Sequence, residues 1–133
     1  MGKAVVVGVD LVAVAEVQAS LEAHGDRYAR RLFTADERRY CARQAHAAAA
    51  SFAARFAAKE ATLKLLRPAA HDQGVPWSDI EVVRDDSGAC DLALSGAALA
   101  LARRRRLSGF SVSLSHEAGL AIAVVIAERG TSR

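Results

Sequence analysis

The sequence predicts an α+β fold, in which an antiparallel sheet packs against helices. Segments of helical periodicity and β-branched runs are both present. The only predicted strands that lie close together in the sequence are separated by short turns, as in hairpins, so these strands are antiparallel. At 133 residues the chain has the length of one domain. We expect residues 1–128 to form this domain and residues 129–133 to be a flexible tail.

A single carboxylate, Asp10, lies between the first predicted strand and the first predicted helix. Val5–Val9 is a β-branched run that predicts a strand, and Asp10 follows it directly. Apolar residues then recur at helical spacing from Val14 to Leu21, and Gly25 ends the pattern. Asp10 is therefore predicted at a strand-to-helix junction, where it can cap the helix or bind a ligand.

Two further helices are predicted in the first half of the chain. Thr34 and Glu37 have the spacing of a capping box, so a helix is expected to begin there. Residues 45–66 are rich in Ala and Leu and contain neither Gly nor Pro, which predicts a long helix. Arg67 and Pro68 end it.

The second half is predicted to contain two hairpins around one helix. Asp85–Gly88 has the composition of a turn, as has the segment 115–119 near the end of the chain. The predicted elements are strands at 80–83 and 89–94, a helix from Gly96 to about Leu107, and strands at 110–114 and 120–127.

Composition limits the classes of function. The net charge of +3 attracts anions but is too small to indicate nucleic acid. Aromatic residues make up only 5% of the chain, so the core is built from small side chains and oligomer contacts would help to stabilise it. Cys41 and Cys90 lack metal-site spacing, and no apolar run is long enough to span a bilayer. These features predict a soluble cytoplasmic protein with reduced thiols.

The long helix carries charged residues at helical spacing. Glu60 and Lys64 are four residues apart and share one face, and Arg55 and Lys59 share the adjoining face. Spacing alone favours two surface charge pairs on a solvated helix over a functional cluster.

Other charged residues also allow two interpretations. His116 is predicted at the end of a strand, where it can serve a site or lie on an exposed turn. Arg103–Arg106 are favoured at a helix C-terminus, and four consecutive side chains point in different directions, which makes them a poor phosphate grip. Five other arginines are either solubilising charges or contacts for an acidic partner: Arg30, Arg31, Arg38, Arg39 and Arg43.

Four segments together resemble the holo-acyl carrier protein synthases, the small 4′-phosphopantetheinyl transferases. They are GVDLVAVAEV near the start, RLFTADE, RFAAKEATLK on the long helix, and SVSLSHEAGLAIAVVIAE at the end. Their order along nearly the whole chain makes the combination specific, although each segment alone is weak.

The resemblance implies the 4′-phosphopantetheinyl transferase fold and a homotrimer with an active site at each subunit interface. It implies transfer of the phosphopantetheine arm of coenzyme A to a serine of an apo acyl carrier protein, with release of 3′,5′-ADP. In such proteins the residues matching Asp10 and Glu60 bind Mg²⁺, those matching Lys64 and His116 lie near the diphosphate, and that matching Arg55 helps to hold coenzyme A. Glu60, Lys64 and His116 are thus the expected catalytic residues, and the base that accepts the serine proton is either Glu60 or a metal-bound water.

Some residues are assigned less firmly. Lys59 is expected to bind ligand phosphate or to pair with a carboxylate. The resemblance predicts a basic residue on the first helix for carrier docking, but Glu16 is present, and residues 67–74 replace the usual Gly-Thr-Gly turn after the long helix. Arg67 or His71 can take over the role of that turn.

Two alternative functions remain. The chain can act on an unusual carrier or with impaired activity, because of Glu16 and the altered turn. It can also be a noncatalytic nucleotide-binding or nucleic-acid-binding protein, but base-stacking aromatics are scarce and scattered arginines do not explain Asp10 and Glu60. We therefore expect no nucleic acid and no membrane among its partners.

Overall fold

Five strands and four α-helices are present in residues 2–70 and 74–131, the part of the chain that the computed structural model describes. This confirms the predicted α+β class. In chain order the elements are β1 (Lys3–Ala13), α1 (Val14–Leu32), α2 (Ala35–Ala42), α3 (Ala48–Leu66), β2 (Ile80–Arg84), β3 (Cys90–Leu94), α4 (Gly96–Arg104), β4 (Leu107–Glu117) and β5 (Leu120–Gly130).

The strands form two antiparallel sheets. The larger has the order β1-β5-β4, and β2 and β3 form a separate hairpin. Asp10 of β1 lies opposite Ala123 of β5, which lies opposite Leu114 of β4. Among the residues described, no helix is long and apolar enough to cross a membrane.

Helix α3 packs closely against the inner face of the larger sheet. Its sheet-facing residues are small, and Ala57, Ala58 and Ala61 are fully buried. A Cβ atom at Gly8 of β1 would lie 2.3 Å from the carbonyl oxygen of Ala61, so any larger residue would push α3 and β1 apart. Gly8 therefore sets the distance between α3 and the strand that carries Asp10.

The other face of this sheet is apolar and exposed. Alternate residues of β1 and β5 point away from α3 because strand side chains alternate with a period of two. These side chains are between 37% and 72% exposed. They form what we call the outer apolar face: Val5, Val7, Val9, Leu11, Leu120, Ile122, Val124 and Ile126.

The first strand is longer than predicted. It continues through Asp10 to Ala13, because every residue to that point pairs with β5. Ala13, not Asp10, precedes α1, so both the predicted strand-to-helix junction at Asp10 and its helix-capping role are wrong. The predicted stop at Gly25 is confirmed, because its φ of 52° and ψ of −126° are not helical; a second helical segment then follows as far as Leu32, and we describe the two together as α1.

Two boundaries in the second half also differ from prediction. Helix α4 ends at Arg104, and Leu107 begins β4 because it pairs with Arg129. Strand β5 reaches Gly130, so residues 129 and 130 of the predicted tail belong to the sheet. Residues 132 and 133 lie outside the described part of the chain.

Candidate active site

The first cluster lies where β1 crosses α3. Asp10 points toward the helix and is only 16% exposed. The Lys64 ammonium donates to Asp10 Oδ1 at 3.2 Å and to the Val9 carbonyl oxygen at 2.7 Å. Two residues 54 positions apart are thus joined by the close packing that Gly8 allows.

Glu60 belongs to the same cluster. Burial raises the pKa of Glu60, the nearby Asp10 carboxylate raises it further, and Lys64 acts in the opposite direction. Two carboxylates are therefore close enough to repel each other. We call Asp10, Glu60 and Lys64 the acidic cluster.

Tyr28 also lies near the acidic cluster, and sequence analysis did not identify it. Burial is the main cause that raises the pKa of its phenol; a hydrogen bond with Ser20 lowers it, and the Glu60 charge raises it. Tyr28 packs edge-on against Phe33 in the core. Helical spacing could not indicate that Tyr28 lies near Glu60, because the predicted helix stopped at Gly25.

The acidic cluster has donors that suit Mg²⁺. Mg²⁺ is usually held by one or two carboxylates and completes its coordination with water and substrate phosphates. Within residues 2–70 and 74–131 no three Asp, Glu, His or Cys side chains are grouped as a complete metal site. The pair of carboxylates therefore fits a cation shared with a phosphorylated substrate better than a closed structural site.

A second cluster lines a cavity of about 310 Å³ between the start of α3 and β4. Arg55 contributes from α3 and His116 from β4, so the structure brings these two predicted residues together. We call this space the nucleotide cavity, after the role that we propose for it below. The side chains around it include Tyr40, Ser51, Arg55, Arg84, Cys90, Ser113, Ser115 and His116.

Arg55 is held rigidly in the wall of the nucleotide cavity. It is only 4% exposed, its guanidinium carbon lies 4.3 Å from the centre of the Tyr40 ring, and Nη1 donates to the Ser51 carbonyl at 3.3 Å. Arg84 contacts the same ring at 5.1 Å. Arg55 Nε is buried and has no hydrogen-bond partner among the described residues. A buried donor without an acceptor is costly, so this atom favours an acceptor from a bound ligand.

His116 lies within a strand and not at a turn. It belongs to β4, where it pairs with Ala121 of β5. The predicted turn began at Ser115, but β4 continues to Glu117 and only Ala118 and Gly119 separate it from β5. The position of His116 is therefore fixed by the sheet.

Lys59 occupies the core instead of the site. Its side chain is 0% exposed, and its ammonium donates to Glu37 Oε1 at 2.8 Å, to the Trp77 carbonyl at 3.2 Å and to the Ile80 carbonyl. This contradicts the assignment of Lys59 to ligand phosphate and supports the alternative of pairing with a carboxylate. The interpretation of Arg55 and Lys59 as a surface pair is also wrong, because both are buried.

The two clusters lie apart on the same helix. Arg55 and Glu60 are five residues apart in α3, which separates them by about 7.5 Å along the axis and by about 140° around it. Of the predicted site residues, only Arg55 and His116 therefore line the nucleotide cavity. A ligand that contacts both clusters must either bridge this distance or lie between two copies of the chain.

The residues considered for partner binding have mixed surroundings. Glu16 is exposed in the first turn of α1. Arg30 pairs with Asp26 and Arg39 with Asp36, which reduces their availability to an acidic partner. The backbone amide of Arg67 donates to Leu63, and His71 lies outside the described residues.

Burial also separates the two cysteines. Cys41 is fully buried in the core, and burial raises the pKa of its thiol to about 12. Cys90 is partly exposed in the wall of the nucleotide cavity. Both thiols are free.

Comparison with known proteins identifies similar sequences and structures. Residues 6–125 match the family described as the 4′-phosphopantetheinyl transferase superfamily. The holo-[acyl-carrier-protein] synthase of Geobacter metallireducens is 43% identical over 122 residues, which cover 92% of this chain and 95% of that protein.

Two solved structures are similar over almost their whole length. The Helicobacter pylori holo-[acyl-carrier-protein] synthase in complex with coenzyme A has a TM-score of 0.75 and 27% identity, covering 92% of this chain and 99% of that chain. The Chronobacterium ammoniagenes complex of the synthase with coenzyme A has a TM-score of 0.81 and 27% identity, covering 96% and 99%.

Proposed function

The chain belongs to the holo-acyl carrier protein synthases of the 4′-phosphopantetheinyl transferase superfamily, and on this premise we propose how its two clusters carry out the reaction. The reaction transfers the phosphopantetheine arm of coenzyme A to a serine of an apo acyl carrier protein and releases 3′,5′-ADP. The convergence of Asp10, Glu60 and Lys64 from β1 and α3 is the observation that carries the proposal.

Asp10 and Glu60 are the proposed ligands of Mg²⁺. The raised pKa of Glu60 reflects its burial and the adjacent Asp10 charge, and a bound cation would relieve that repulsion. When bound, the ion offsets the negative charge that develops on the diphosphate during transfer.

Lys64 is proposed to contact the phosphates of coenzyme A. Its side chain is 56% exposed although its ammonium is bonded to Asp10 and to the Val9 carbonyl. It can therefore turn toward a phosphate oxygen while it stays beside Asp10, and it contributes a positive charge without occupying a coordination position.

The nucleotide cavity is the proposed site for the phosphoadenosine end of coenzyme A. Arg55 supplies a fixed guanidinium with a buried N–H that lacks an acceptor, and His116 adds a second donor from β4. Guanidinium groups bind phosphates through paired hydrogen bonds, and here stacking on Tyr40 fixes the orientation.

A homotrimer explains how the clusters can serve one substrate. The outer apolar face exposes eight large aliphatic side chains on two adjacent strands, and a contiguous apolar surface of this kind is typical of an interface. Burial of this face between copies would allow the nucleotide cavity of one subunit to approach the acidic cluster of the next.

Two further features support less specific proposals. We propose a cytoplasmic location because both thiols are free. We also propose that the carrier has an unusual docking surface, because Glu16 is exposed where a basic residue was expected.

A transfer assay tests the proposed reaction. The protein is incubated with Mg²⁺, coenzyme A and a panel of apo carrier proteins, and the carriers are analysed by mass spectrometry. We expect a phosphopantetheine mass increase on the carrier serine. No increase on any carrier, while a control enzyme modifies them, contradicts the proposal.

A separate experiment tests the assembly. Val124→Glu places a charge on the outer apolar face, and Val83→Glu makes the same change at an exposed residue of the β2–β3 hairpin. We expect analytical ultracentrifugation to detect trimers for the wild type and V83E but smaller species for V124E. Identical sedimentation of V124E and the wild type contradicts the proposed interface.

A further inference from the structure

A pocket of about 480 Å³ lies beside the C-terminus of α3 and is not used by the proposed reaction. Its floor is apolar and its charged wall consists of Arg67, Arg105 and Arg129. It shares no lining residue with the acidic cluster or the nucleotide cavity. In the sheet register Arg129 lies opposite Ala4, six residues from Asp10, a distance of about 20 Å along the strand.

The charged residues described in the lining of this pocket are all arginines. None of its described lining residues is acidic. The neighbouring carboxylate, Glu128, points to the opposite face of the sheet because strand side chains alternate, and there it lies 3.8 Å from the Lys3 ammonium. Three guanidiniums thus share one concave space, and the part of its lining that the structure describes contributes no carboxylate.

Arg105 is fixed in position by the end of α3. Its Nε donates to the Leu66 carbonyl at 3.1 Å and its Nη2 to the Arg67 carbonyl at 2.7 Å. These bonds engage two of the carbonyls that otherwise make a helix C-terminus unfavourable to anions. Arg105 therefore places a positive charge where the helix end would repel an anionic ligand.

Arg67 and Arg129 supply the groups that can bind. Arg67 ends α3 in the left-handed conformation, with a φ of 47°, which turns the chain away from the helix. Neither guanidinium is hydrogen-bonded or paired with another described residue. Each offers a planar set of N–H donors that matches the oxygens of a phosphate group.

We infer that Arg67, Arg105 and Arg129 form a second anion site, which binds a phosphate group independently of the acidic cluster and the nucleotide cavity. The phosphate can be free inorganic phosphate or the phosphate of a nucleotide such as 3′,5′-ADP. The apolar floor of Val6, Leu65 and Leu107 suits a ligand that has an uncharged portion beside its phosphate.

Calorimetric titration of the full-length protein tests this inference. Inorganic phosphate and 3′,5′-ADP are titrated separately into protein saturated with coenzyme A, so that the proposed substrate site is filled. The test variant is R67Q/R129Q. The matched control is R27Q/R31Q, which removes two exposed arginines of α1 and changes the net charge equally.

We expect the wild type and R27Q/R31Q to bind phosphate, and R67Q/R129Q to bind it at least about tenfold more weakly. Tighter binding of 3′,5′-ADP than of phosphate identifies a nucleotide as the source, and the reverse order identifies free phosphate. The single variant R129Q gives the same test with a smaller loss if the double variant is unstable.

Two results overturn the inference. One is equal phosphate affinity in the wild type and R67Q/R129Q. The other is loss of all phosphate binding in the wild type once coenzyme A is bound. Because the titration measures binding and not transfer, either result leaves the proposed reaction unaffected.

Discussion

Lys59 and Lys64 lie on the same helix and each contacts a carboxylate, but their surroundings differ. The Lys59 ammonium bonds to Glu37 and to two backbone carbonyls in the core, where both side chains are 0% exposed. Lys64 contacts Asp10 from a position where its side chain is 56% exposed. The first pair is enclosed by protein, whereas the second is accessible to a ligand.

Hydrogen-bond satisfaction also separates the two pairs. Glu37 accepts from the amides of Thr34 and Val82 as well as from Lys59, so both of its oxygens are hydrogen-bonded. Asp10 accepts a hydrogen bond from Lys64, and the carboxylate of Glu60 lies nearby. A cation would reduce the repulsion between these two carboxylates. A charged pair thus indicates a site when its groups are incompletely satisfied and accessible, not simply when it has helical spacing.

The largest expected effect comes from breaking the buried pair. Lys59→Met leaves the Glu37 charge in the core, and we expect a loss of about 3–5 kcal/mol in the free energy of unfolding. Lys64→Met removes a more exposed ammonium that pairs with Asp10, so it should cost less, about 1 kcal/mol. Chemical denaturation measures both. Equal losses in the two variants would mean that burial does not distinguish these lysines.

Neutralising the accessible carboxylates should act on catalysis instead. We expect Asp10→Asn and Glu60→Gln each to reduce carrier modification about 100-fold or more, which corresponds to roughly 2.7 kcal/mol of transition-state stabilisation. Glu22→Gln, on the exposed surface of α1, is the matched control and should retain full activity. Transfer rates at saturating Mg²⁺ are the measurement. Wild-type rates in both site variants would exclude the acidic cluster.

A change at Gly8 connects packing to the acidic cluster. A Cβ in Gly8→Ala would lie 2.3 Å from the Ala61 carbonyl, so α3 must move away from β1. We expect about 1–3 kcal/mol lower stability and a transfer rate that falls because Asp10 separates from Glu60. Gly2→Ala is the control, since a Cβ there meets nothing within 4 Å. Unchanged activity in a destabilised G8A protein would mean that the packing of α3 against β1 does not determine the transfer rate.

The capping box should have a smaller effect on stability. Thr34→Ala removes the hydroxyl that accepts from the Glu37 amide at 3.2 Å and donates to Glu81 at 2.6 Å. We expect a loss of about 1 kcal/mol, measured by thermal or chemical denaturation. Thr34→Ser retains the hydroxyl and should therefore keep most of the stability that Thr34→Ala loses. A loss as large as that of K59M would mean that the buried pair depends on this cap.

The smallest effect concerns the pH dependence of stability. The pKa of Glu60 is raised in the folded protein. Glu60 therefore keeps its proton to a higher pH in the folded protein than in the unfolded chain. Its contribution is therefore present below the unfolded pKa, ordinarily 4.5, and is lost as pH rises through the folded value. E60Q should lose less stability than the wild type over this interval without Mg²⁺. Parallel stability curves for the two proteins would contradict a raised pKa of Glu60, which burial raises most and the Asp10 charge raises further.

Local sequence signals predicted the elements that depend on nearby residues. The Thr34–Glu37 capping box is present as expected, because both partners lie within one turn of helix. The end of α3 at Arg67 was also predicted from the adjacent proline. Strand ends were less predictable, since β1 reaches Ala13 only through pairing with β5, more than a hundred residues later.

Local spacing alone did not predict which charged residues of the site lie together. The charges of Asp10 and Glu60 were recognised from the order of motifs along the chain. The burial of Lys59 could not be predicted from the sequence, because its carboxylate partner is 22 positions away and its carbonyl partners lie beyond α3. The contribution of Gly8 was missed for the same reason, as it depends on a helix that begins 40 residues later.

The unequal burial of the two cysteines makes the protein suitable for selective labelling. With a pKa of about 12, Cys41 remains protonated and enclosed at neutral pH, so thiol reagents should leave it unmodified while the protein is folded. Cys90 lies in the wall of the nucleotide cavity. A fluorophore attached there would report occupancy of that cavity without any engineered residue, and its signal could follow ligand entry in real time.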